Sequence, residues 1–214
     1  KAKSPSSGAF RVKVYNEHGM ATNSGRGLFA GAFMDSYPWL PVEEEGRLND
    51  LPLRENFMDR VFAYARFRQA MTADPTPKGL VAFHTTMKLT VMAHSPAHYK
   101  SLGQLVADAG KTPWETLHDL YRLELMIGLK ELASKGRHTN VLQHIQGFLK
   151  DQLSGKDKAE LQQVFEDYRQ GLLPLIVPIT LLKHHLNRHD APDWLEKQAY
   201  LHPYPKELML RNHV

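Results

Sequence analysis

At 214 residues and 42% apolar content, the chain can form one large domain or two small ones around a packed core. It has no cysteine, which excludes a disulfide framework, and its one long apolar run, Leu172–Leu182, is too short and too proline-interrupted for the roughly 20 residues of a membrane span. The formal charge of +4, with twelve histidines uncounted, admits a polyanionic partner such as RNA without demanding one.

The opening residues, Lys1–Gly8, lack the apolar stretch of a secretory signal, so a cytoplasmic setting away from membranes is expected. A polar Ser-Pro-Ser-Ser-Gly turn (Ser4–Gly8) runs into a strand-like alternation at Phe10–Tyr15. A lone strand is not stable in water, so either earlier residues are missing or the strand pairs with something later. The glycine-spaced Ser24–Gly27 leads into a short helical segment, Leu28–Met34, and Leu40–Glu45 reads as a strand that empties into an acidic loop. Strand, glycine turn, helix and strand in that order predict a βαβ unit. Arg54–Arg68 has helical spacing, with Phe57, Val61, Tyr64 and Phe67 on its apolar stripe.

Met71–Pro77 is polar, carries two prolines and lacks periodicity, so residues 71–77 are expected to link residues 1–70 to 78–214. Beyond it the punctuation is helical throughout. Leu80–Ala93 is followed by Ser95 as N-cap with Pro96 at the first helical position, the helix closing at Gly110. Thr112–Glu115 has the form of a capping box for a helix running to about Ser134, with Gly136 as its stop. Further helices are expected at Thr139–Leu153 and Lys156–Gln170, the latter ending at Gly171. The proline-interrupted Leu175–Leu186 is expected to be the buried central helix, followed by a short one at Asp193–Tyr200 and an extended strap from Pro203. The predicted fold class is mainly α: an all-α helical C-terminal domain, 78–214, preceded by an incomplete α/β, Rossmann-like fragment.

The second part holds 17 Lys and Arg against 14 Asp and Glu, so an anion site must come from clustering and not from bulk charge. Basic and imidazole groups concentrate around Lys135, Arg137 and His138, around Lys183, His184, His185, Arg188 and His189, and at Arg211 and His213. Helix C-termini attract such groups through the dipole, which accounts for about half of them. The remainder are candidates for a phosphate-binding groove, with His84, Lys88 and Lys100 on the same surface. Tyr99, Trp114, Tyr121 and Tyr204 fit equally as base-stacking or core residues. Two histidine pairs at i, i+4 spacing, His94 with His98 and His185 with His189, lack the rest of any known zinc signature, so no metal site is expected. Glu43–Glu45 reads as a solvated strand end, and the Ser4–Gly8 turn as a surface turn.

Long stretches resemble a known family. Phe83-His84, Met92–Pro96, Tyr99, Leu102-Gly103, Gly136–His138, Asn140–His144, Asp167–Gly171, Pro174–Pro178 and Pro205–His213 are similar to the YbgA-like domain, which covers essentially all of Lys78–Val214. Lys3–Ser6, Gly27–Ala30, Pro41–Asp50 and Leu53–Phe57 resemble the last part of a thiouracil desulfidase-like domain, which in fused proteins directly precedes the YbgA-like one. The resemblance implies the C-terminal portion of a tRNA 4-thiouridine desulfidase whose helical domain binds the tRNA. The alternative is a stand-alone RNA-binding accessory module without catalysis. In the fused enzymes three cysteines hold a [4Fe-4S] cluster whose open iron takes the thiocarbonyl sulfur while water replaces it. Here Ser7 stands at one cysteine position, and the other two would precede Lys1, in the missing N-terminal part of the desulfidase-like domain. The chain alone is therefore expected to assemble no cluster and to be inactive. The expected phosphate contacts are Lys88, Lys100, Arg137, His138, Lys183, Arg188 and Arg211.

Overall fold

The structure, a computed structural model, describes residues 12–15, 17–25 and 28–214 and is mainly helical. Two strands, β1 (Val12–Tyr15) and β2 (Ala21–Gly25), pair antiparallel, with Val14 opposite Thr22 and Tyr15 opposite Ala21. The partner of the first strand is thus its immediate successor. Gly19 turns the chain between them at φ +70°, where a Cβ costs about 1–2 kcal/mol. After α1 (Leu28–Ser36) the strand expected at Leu40–Glu45 does not form. Pro41 has no N–H for a ladder, and the Glu43 carboxylate is held by Arg47 at 3.0 Å and Arg60 at 3.6 Å. The loop enters a 3₁₀ turn, Glu45–Asn49, and Glu43 is an interior anion instead of a solvated strand end. Among the described residues there is no parallel βαβ unit, and the Rossmann-like reading of this fragment is corrected accordingly.

The helix predicted at Arg54–Arg68 is longer, α2 (Leu51–Ala73), because Asp50 caps it by accepting from the Leu53 N–H at 3.0 Å and Pro52 suits its first turn. The following α3 (Pro77–His94) is capped by Thr76. The expected linker, 71–77, is therefore helical except at residues 74–76, and Phe67 and Met71 of α2 pack in one core with Leu80 and Phe83 of α3.

The remaining helices are α4 (Pro96–Ala107), α5 (Trp114–Gly128), α6 (Lys135–Phe148), α7 (Gly155–Gln170), α8 (Ile176–Arg188) and α9 (Asp193–Glu196). Several boundaries differ from expectation: α4 ends at Ala107 and not Gly110, α5 at Gly128 and not about Ser134, α6 begins at Lys135 and ends at Phe148, and α9 ends at Glu196 and not Tyr200. The Thr112 capping box is not made, since Pro113 is the N-cap residue of α5 without a side-chain bond. The predicted stop at Gly136 lies inside the first turn of α6, whose N-cap is Ser134, accepting from the Arg137 N–H at 3.3 Å. Three 3₁₀ turns, Ala199–Leu201, Lys206–Leu208 and Leu210–Asn212, form the C-terminal strap.

The core has two clusters, and α3 supplies both: Leu80, Phe83 and Met87 pack with α2 and α5, while Leu89 and Ala93 pack with α6, α7 and α8. The central helix is thus α3. Leu175–Leu186, expected there, instead forms α8, an amphipathic helix that exposes Val177, Thr180 and His184.

Candidate nucleic-acid interface

On α2, Glu55, Asn56 and Asp59 fall on the inner face, where a continuous apolar stripe would be expected, and all three are buried. Such groups survive burial only when bonded. Asp59 meets Nε2 of His94, the last residue of α3, at 3.1 Å, and His94 Nδ1 donates to the Glu131 carbonyl at 2.6 Å. The Asp59 carboxylate and the Glu131 carbonyl, one at each ring nitrogen, favour the charged ring. Burial alone would lower its pKa, but the Asp59 hydrogen bond and charge carry it above the ordinary value; Asp59, likewise opposed by burial, is carried below its own. Asn56 donates to the Leu129 carbonyl at 2.9 Å. Ser95 Oγ donates to the Glu131 carboxylate at 2.7 Å and lies 2.8 Å from His98 Nδ1.

Glu55 ties this network to the strap. It accepts from the Tyr204 hydroxyl at 2.9 Å and sits 3.5 Å from Nε of Arg211, which is only 5% exposed. Arg211 also donates to the Tyr200 carbonyl and lies over the Tyr200 ring at 5.0 Å. Burial, then the neighbouring Asp59, push the Glu55 pKa up; Arg211 and His94 oppose them. Two turns further along α2 from Asp59, Arg66 donates to the carbonyls of Pro203 and His202. A second cavity of about 200 Å³ reaches this network beside Asn56, Lys135, His138 and Tyr168.

Between α8 and the anchored strap lies a groove of about 300 Å³, with Lys183, His202 and Lys206 converging on it, Arg211 beneath, and no carboxylate in its lining. Lys183 Nζ is 3.3 Å from His202 Nδ1, which fits an ammonium donating to a neutral imidazole. Burial and then the like charges of Lys206 and Arg211 lower the Lys183 pKa; burial, Lys183, Arg66 and Arg211 lower that of His202. Cations held together against their own repulsion favour an anion in the groove.

The residues singled out from the sequence are dispersed. Lys183 lies in the groove. Lys88 rests on the Trp194 ring at 3.7 Å, Lys100 is exposed on α4, and Arg188 is exposed at the end of α8. Arg137 donates to the His94 carbonyl and pairs with Glu131 at 3.2 Å, bonds that offset its unfavourable place at a helix N-terminus. Arg211 and His138 lie in the interior: each is 5% exposed, and His138 Nδ1 lies 2.9 Å from the Tyr200 hydroxyl. Tyr121 and Tyr204 are buried, with Tyr99 and Trp114 half-buried against the core, so none presents an open stacking face. Ser7 lies outside the described residues. His202, Lys206, Arg66 and the Glu55–Asp59–His94 network escaped sequence reasoning, although Glu55 and Asp59, one turn apart on a buried face, are a readable signal.

A match to the family described as a protein of unknown function (DUF1722) spans residues 88–205. The protein described as "Uncharacterized protein YbgA" from Escherichia coli (strain K12) is 32% identical over 157 residues, covering 72% of this chain and 90% of that one. No solved structure matches.

Proposed function

The chain belongs to the DUF1722 family, and on that premise we propose that it is the RNA-holding part of a cytoplasmic tRNA 4-thiouridine desulfidase, receiving phosphates in the groove between α8 and the strap. The observation that carries this reading is the convergence of Lys183, His202 and Lys206 on a groove without carboxylates. Phosphate contacts of this kind position a polyanion and carry no base information.

The donor set does not fit the [4Fe-4S] cluster that the resemblance implies, since a chain without cysteine offers no thiolate to iron, and no step is derived through that group. This same lack favours a second reading, an accessory module that binds RNA without catalysis of its own. Both readings share one surface.

Titration with thiolated and unthiolated tRNA at two salt concentrations tests them. Lys183→Ala combined with Lys206→Ala should weaken both complexes alike. Undetectable or salt-independent binding rejects both readings, and sulfur release by the chain alone rejects the second.

A further inference from the structure

We propose that α7 and the end of α8 hold a zinc-class transition-metal ion through Asp157, Glu160 and His185. Asp157 and Glu160 are three apart on α7, a spacing that places both on one helix face, and His185 stands in the last turn of α8. The two helices pack together, and one oxygen of each carboxylate and one ring nitrogen of His185 lie within 4.8 Å of one another.

His185 points to a ligand independently of the carboxylates. Its side chain is 5% exposed, and its Nε2, the nitrogen distal to the backbone, is buried with no hydrogen-bond partner. An interior polar atom left so is destabilising, and a coordinate bond would relieve it. The His189 ring lies parallel to that of His185, at 12° and 6.1 Å between centroids. Asp157 is oriented by Ser154, whose hydroxyl and N–H both donate to its Oδ2, at 2.7 and 3.2 Å. Outer bonds of this kind fix a metal-binding carboxylate.

The donors select the ion. An imidazole with two carboxylates suits zinc and its neighbours, whereas calcium and magnesium take oxygen ligands alone. Bonds of about 2.0–2.1 Å place tetrahedral donors about 3.3 Å apart, so the side chains close by about 1.5 Å at most around the ion. The ion would staple α7 to the last turn of α8.

The test uses the full chain, stripped by a chelator and titrated with Zn²⁺ against a chromophoric competitor at neutral pH. The expected result is one tightly held ion per chain and a raised Tm. Glu160→Gln and His185→Gln should each weaken binding at least tenfold, while His118→Gln, altering a residue paired with Asp119, should not. Glu160 is exposed, so its variant stays readable even where His185→Gln unfolds. Absence of a stoichiometric ion, or an affinity indifferent to Glu160→Gln, overturns the proposal.

Discussion

Arg211 shows how much one side chain can hold. Its charge faces Glu55 in an interior where a carboxylate has no water to turn to. Arg211→Ala should therefore cost about 3–5 kcal/mol in urea denaturation, the usual consequence of leaving one member of a buried pair alone. His84 acts oppositely. Burial, with Lys88 adding to it, pushes its pKa down to about 4, and its Nδ1 lies 3.0 Å from the Tyr121 hydroxyl. Below about pH 6.5 the unfolded chain protonates this ring while the folded chain does not, so stability falls as pH drops from 6.5 towards 4. His138, also lowered by burial, adds to the same slope. His84→Gln should flatten it, and an NMR titration of the His84 ring should show a midpoint near 4; a midpoint above 6 contradicts this.

Among the elements, α4 and α5 depend on a single missing methyl. A Cβ on Gly128 would lie 2.7 Å from Cβ of His98, backed by a helix that cannot yield easily. Gly128→Ala should cost about 1–3 kcal/mol by overpacking and pull His98 away from Ser95. Gly103→Ala, within α4 and with open space around it, should be neutral or stabilising by about 0.5–1 kcal/mol, and urea midpoints of the two variants make the comparison. Helix ends were legible where a side chain makes the cap, as at Ser95 and Ser154, and where Gly171 takes φ +84°. They were not legible at Gly136, because glycine marks a helix end only when the chain is already leaving the helix, and here Ser134 has just begun one. The Leu175–Leu186 run looked central because it is the most apolar, but centrality depends on how many helices a segment faces.

For the whole molecule, the strap closing on α2 shapes the groove. Glu55 meets Tyr204 across 149 positions and Arg211 across 156. The groove exists only because those contacts set the strap beside α8. If its lysines meet phosphates, Lys183→Ala and Lys206→Ala should each reduce the log–log salt slope of tRNA binding by about 1, whereas Lys111→Ala, whose ammonium already pairs with Asp108 at 2.6 Å, should leave the slope intact. The sequence by itself determined the helical class, the caps at Ser95, Ser154 and Gly171, and the family, because periodicity, capping residues and family motifs are written along the chain. Only the tertiary structure decided that α3 is central, that Arg211 is interior while Lys183 and Lys206 share a groove, and that Asp157 and Glu160 meet His185. Those facts rest on pairings between distant residues, and burial assigns such charges their roles after the helices have packed.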